Sequence, residues 1–71
     1  MKPNDLIKTL INEQGITQAI LASKLGMKSA SQLSVALRSD MRISTYIRII
    51  EELGGTVTVN TPDGISITLE R

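Results

Sequence analysis

Apolar residues recur at helical spacing as far as Leu53, and beyond it they alternate strictly with polar ones. Leu6, Ile7, Leu10 and Ile11 form the first stripe, and Asn4 just ahead of them predicts an N-cap: its short polar side chain can accept from a backbone N–H that the first turn leaves free. That helix should stop near Gln14, where Gly15 can take the left-handed conformation. Thr17 is placed to cap a second helix with Leu21, Ala22 and Leu25 on its inner side, and Gly26 should end it. Ser29 or Ser31 then caps a third helix whose inner stripe is Leu33, Ala36 and Leu37. After a polar link over 39–43, Ser44 is the expected cap of a fourth helix. Its inward residues are Ile47, Ile50 and Leu53, flanked by Tyr46 and Ile49, and Gly54-Gly55 closes it.

The last segment changes period. Val57 and Val59 alternate with Thr56, Thr58 and Asn60; Ile65, Ile67 and Leu69 alternate with Ser66, Thr68 and Glu70. Between them, Thr61-Pro62-Asp63-Gly64 is turn chemistry, since proline presets φ early in the turn and glycine accepts φ > 0 at its end. A three-residue loop pairs Thr61 with Ile65, Val59 with Ile67 and Val57 with Leu69, so that every apolar residue falls on one face. A lone two-stranded ribbon is marginal in water. Its apolar face is therefore expected to pack on the helices, on a partner chain, or on both. The expected fold is mainly α, with four short helices within residues 4–54 and a C-terminal β-hairpin over 56–70, all in a single domain, 1–71.

Composition narrows the chemistry. A chain of 71 residues buries only about 60% of its unfolded surface, so its core is marginal and pairing is a common remedy. It has no cysteine and no histidine, which excludes disulfides, thiolate zinc sites and imidazole ligands. There is no glycine-rich phosphate loop, and Glu51 and Glu52 occupy adjacent helical positions that face different ways. We therefore expect neither an enzyme nor a cofactor. No apolar run approaches the ~20 residues of a membrane span, and no signal-peptide segment opens the chain, so a cytoplasmic location away from membranes is expected.

Net charge is only +1, but its distribution is uneven. Lys24, Lys28, Arg38 and Arg42 face Asp40 alone, whereas after Arg48 the residues Glu51, Glu52, Asp63 and Glu70 stand against Arg71. A basic middle and an acidic end suit one phosphate-facing side; the plainer alternative is solvated surface. Tyr46, the only aromatic, is expected in the core, and the scarcity of aromatics argues against single-stranded nucleic acid, which is bound by base stacking.

The second and third helices, joined at Gly26, have the layout of a helix-turn-helix: Thr17-Gln18 opens the unit, Ala22 permits close approach, and Gly26 reverses the chain. Here the chain resembles the Cro/CI-like, or XRE, family of helix-turn-helix regulators, with a lambda-repressor-like fold. The matching residues are Ile16-Thr17-Gln18, Leu21-Ala22, Lys24-Leu25-Gly26-Met27, Ile43-Ser44-Thr45 and Ile50-Glu51-Glu52-Leu53-Gly54-Gly55. The last block is similar to the closing helix of XRE-type antitoxins. The resemblance covers residues 16–55 and implies four or five helices, a DNA-reading third helix and dimeric binding to an inverted repeat. Two departures stand out. The stretch from Gly26 to the first apolar residue of the third helix is one residue longer than the family pattern, with Gln32 where an aliphatic is expected. Ile20 stands at a position normally polar.

If Leu33, Ala36 and Leu37 point inward, then at ~100° per residue Ser31, Val35 and Arg38 point outward, with Gln32 and Ser34 beside them. Arg38 suits guanine, Gln32 adenine and Val35 a thymine methyl, while Ser29, Ser31 and Ser34 can serve bases or phosphates. Thr17 and Gln18 resemble the family's phosphate-contacting positions, and Lys28 and Arg42 are candidate phosphate partners. The implied function is a sequence-specific double-stranded DNA-binding regulator, a repressor that binds its operator as a homodimer. Val57, Val59, Ile65 and Ile67 of the hairpin are candidate dimer residues; the rival is that the hairpin covers its own helices and Ile49 of the fourth helix makes the contact. An alternative function is an antitoxin or adaptor module that holds a toxin or other protein partner, with Ile20, Ile49 and the hairpin edge as its sticky features.

Overall fold

In the computed structural model, which describes residues 1–70, the first helix begins where a proline sets it. Helix α1 spans Pro3–Gln14, with Lys2 in the N-cap position and Pro3 at the start of the first turn. Proline has no N–H to lose there, and its fixed φ already suits a helix. The helix accordingly starts ahead of Asn4 and displaces it from the capping role expected of it. The Lys2 carbonyl instead accepts from the Asp5 and Leu6 N–H groups at 3.1 and 3.2 Å. Asn4 does something the local pattern does not announce. Its amide Nδ2 donates to the carbonyls of Leu37 (3.0 Å) and Ser39 (2.8 Å), more than thirty residues further along the chain.

Helices α2 (Gln18–Lys24) and α3 (Ala30–Leu37) follow, and with α1 they make a first compact unit, Met1–Met41. Its buried apolar residues are Ile7 and Ile11 from α1, Leu21 and Ala22 from α2, Leu25 just beyond it, and Leu33 and Leu37 from α3. Each fully buried leucine or isoleucine of this kind contributes about 1.5–3 kcal/mol by leaving water. The expected stripes hold except at Leu6, which is 39% exposed because it lies at the edge of the inward face of α1, and at Leu10 and Ala36, which are half-buried.

A second unit begins at Arg42 and holds α4 (Ile43–Glu52), β1 (Val57–Asn60) and β2 (Ser66–Leu69). Ser44 does not cap α4. The Tyr46 N–H already bonds the Arg42 carbonyl at 3.0 Å, so the helix starts at Ile43 and Ser44 lies inside its first turn. Tyr46, Ile49, Ile50 and Leu53 follow the i, i+3, i+4, i+7 spacing of one helix face. With Ile47 they are all buried, and burial pushes the Tyr46 phenol above its ordinary pKa by desolvation.

The hairpin has the expected antiparallel register, Val57 opposite Leu69 and Val59 opposite Ile67. At its tip the Thr61 N–H donates to the Ile65 carbonyl at 2.9 Å, and Gly64 closes the loop at φ 86°, a region that costs a β-carbon strain. The Thr61 hydroxyl adds to this by donating to the Asp63 carboxylate and accepting from the Ile65 N–H at 3.2 Å. On the polar face Thr58 and Thr68 share a cross-strand hydrogen bond of 3.2 Å. The apolar face is another matter. Val57 and Leu69 are half-buried, whereas Val59, Ile65 and Ile67 are 47%, 48% and 57% exposed. The outer hairpin therefore leaves about half of its apolar side-chain surface open to solvent.

Candidate nucleic-acid interface

The region from Thr17 to Ser39 builds a polar, cationic face on an apolar base. Thr17 caps α2, its hydroxyl accepting from the Ile20 N–H at 3.2 Å. At the other end the Met27 N–H reaches back to the Ala22 carbonyl (2.9 Å) and the Gly26 N–H to Ser23 (3.1 Å). This paired closure needs a left-handed residue, and Gly26 supplies it at φ 75°. Leu25 to Ser29 then separate the helices, longer than the three or four residues usual in a helix-turn-helix. Helix α2 packs directly on α3.

Of the two serines suited to cap α3, Ser29 does so, accepting from the Gln32 N–H at 3.4 Å. The Gln32 side chain returns the contact, its Oε1 accepting from the Lys28 N–H at 3.1 Å. This resembles a capping box, with the glutamine reaching one residue further back than usual. Gln32 is thus first a structural residue. Its NH2 group remains able to donate, but the two-sided recognition of adenine needs the oxygen as well, and one of that oxygen's acceptor positions is taken.

Along α3, Leu33 and Leu37 are 0% and 2% exposed, and Val35 on the opposite side is 58% exposed. Ser31 and Arg38 are exposed with Val35, and Ser34 is half-buried. The outward set is the one the periodicity predicts. Arg38 is the C-cap residue of α3, so it extends from the helix end rather than its middle. That end is tied twice: by the Ser39 hydroxyl to the Val35 carbonyl at 3.3 Å and by the Asn4 amide. The Asn4 clamp is the contribution that sequence reasoning missed, because its partners are backbone carbonyls distant in sequence.

No acidic residue occurs from Gly15 to Ser39, while Lys24, Lys28 and Arg38 do. All three are exposed. Helix α3 is itself uncharged, and the positive field comes from its flanks. Gln18 is half-buried, beside a shallow groove lined by Lys8, Thr9, Ile11, Asn12 and Ile16. Arg42 is exposed as the N-cap residue of α4, in the second unit.

The dimer candidates divide. Val59, Ile65 and Ile67 present accessible apolar surface, and Val57 does so in part. Ile49 does not: it is 0% exposed, because it lies within the buried face of α4, and so it offers no surface to a second protein. Among the described residues no cluster of metal-ligating side chains occurs and no helix is long and apolar enough to cross a membrane. Comparison with known proteins gives no match: no family model fits the chain, and no curated protein or solved structure is similar to it.

Proposed function

We propose that the chain is a sequence-specific double-stranded DNA-binding regulator of transcription, acting in the cytoplasm as a repressor that occupies an inverted-repeat operator as a dimer. The observation that carries this reading is the division of α3. Leu33 and Leu37 are buried, Ser31, Val35 and Arg38 face solvent, and cations flank a stretch free of acids. The resemblance of residues 16–55 to the Cro/CI-like pattern supports it further.

On this reading α3 of each subunit lies in the major groove, in half-sites about 34 Å apart. Arg38 donates to a guanine edge, Val35 packs on a thymine methyl and Ser31 takes either a base or a phosphate. Lys28 meets phosphate, as do Thr17, Gln18 and Arg42, and these contacts position the helix without reading sequence. Binding therefore weakens steeply with salt, as released counterions drive it.

The test is selection from random duplex DNA at fixed salt, followed by affinity measurements on the recovered site. The expected result is an inverted repeat with half-sites about one helical turn apart. Arg38→Ala should then cost about 1–3 kcal/mol on that site and relax selectivity at one base pair. Lys28→Ala should weaken all DNA about equally and flatten the salt dependence. No enrichment over random DNA would overturn the proposal.

A second reading, an antitoxin or adaptor module, draws on Ile20, which is 46% exposed on α2. Co-purification of a partner that is lost on Ile20→Ser would favour it.

A further inference from the structure

The hairpin has two open edges and an apolar face that is exposed beyond its base. Register determines what each edge offers. The Thr61 N–H bonds the Ile65 carbonyl, and hydrogen-bonded pairs alternate with non-bonded ones along an antiparallel ladder. The backbone groups of Val57, Val59, Ile67 and Leu69 are therefore turned inward, to the other strand of the hairpin. Those of Thr58 and Asn60 point outward from β1, and those of Ser66 and Thr68 point outward from β2.

We infer that β2 pairs with β2 of a second copy of the chain, antiparallel, about a two-fold axis at Ile67, making a four-stranded sheet with one continuous apolar face. The edge is complementary to itself. Ser66 and Thr68 flank Ile67 symmetrically, so the axis sets Ser66 opposite the second copy's Thr68, and each such pair exchanges both N–H···O bonds. Ile67 meets its own copy and Ile65 meets Leu69, apolar beside apolar. A one-residue slip would put the apolar face opposite the polar one. Centring on Ser66 or Thr68 would run the ladder into Gly64 or past the end of the strand.

A second copy is the occupant because neither strand, Val57–Asn60 or Ser66–Leu69, carries a charge. Edges kept apart in water usually carry lysine, proline or a bulge; these strands contain no lysine and no proline to turn a copy away. An acidic or basic partner would find nothing to pair with. β2 is favoured over β1 on two counts. Its Ile67 is 57% exposed, against 47% for Val59 of β1. β1 also presents Asn60, a residue whose side chain competes with strand pairing.

The proposal rests on the dimer of the regulator reading and assigns its interface. The absence of cysteine makes the test direct, and because it needs no DNA, failure of this interface is distinguishable from failure to bind an operator. Directly opposed residues of a non-bonded antiparallel pair lie within disulfide reach. Solution mass of the unaltered chain is measured first, across a dilution series. Ile67→Cys and Val59→Cys are then oxidised mildly, with circular dichroism confirming that both keep their helices. The expected result is a dimer that Ile67→Cys locks covalently and Val59→Cys does not, and that Ile67→Lys converts to monomer. A monomer at every concentration would overturn the proposal, as would cross-linking through Val59→Cys or a dimer unchanged by Ile67→Lys.

Discussion

Helix α3 and the C-terminal hairpin each carry apolar residues on one face and polar residues on the other, yet they dispose of them in opposite ways. In α3 the apolar side disappears: Leu33 and Leu37 are fully buried, and the polar face is left for solvent. In the hairpin the apolar side chains Val59, Ile65 and Ile67 stay about half exposed, while the threonines opposite them bond each other. The same binary pattern is thus satisfied in one region and left open in the other. An element whose apolar face is spent can serve only through its polar face. One whose apolar face is still exposed is suited to a second chain.

Substitutions can break this contrast. The largest effect should come from Leu33→Ala, which leaves a cavity in a closed core and costs about 2–5 kcal/mol, a large share of a small domain's stability. Val35→Ala, two positions away but exposed, should stay within about 0.5 kcal/mol. Thermal unfolding followed by circular dichroism reads both, and equal losses would show that α3 has no closed side. Asn4→Ala comes next. It strips the Leu37 and Ser39 carbonyls of their donor and should cost about 1–3 kcal/mol, with amide exchange rising first in the last turn of α3. The smallest effect belongs to the hairpin tip. The Thr61 hydroxyl, and then a backbone N–H, hold the Asp63 carboxyl below the usual aspartate range. A group depressed in the folded state lends stability above its unfolded pKa and loses it as pH falls through the folded one. On acidification below the ordinary aspartate range, the chemical shifts of Val59 and Ile67 should therefore drift toward unfolded values. Asp63→Asn should remove that drift.

Much of this was legible in the amino-acid pattern. The periods of the apolar residues located four helices and a hairpin, and the hairpin register followed from the length of the loop and the two-residue alternation. The cap at Thr17, the narrowing of the next cap to Ser29 or Ser31, and the closures at Gly15, Gly26 and Gly54 are likewise local, because each is made by groups within a few residues of one another. The misreadings also have a local cause. Asn4 and Ser44 are good caps by residue type, but the residue just before each had already entered the helix. Gln32 faces outward as its position on the helix requires; its reach back to the Lys28 N–H depends on the path of the turn.

What the sequence by itself determined, then, is whatever depends on neighbours along the chain: the elements, their ends, the side each one turns inward, and the basic stretch without acids. Tertiary structure alone decided which apolar residues find cover. Ile49 and Ile67 read alike as aliphatics on an amphipathic element, and only packing separates a side chain at 0% exposure from one at 57%. It alone also joined Asn4 to the end of α3. Burial and long-range hydrogen bonds depend on distances that the spacing of residues along a chain does not contain.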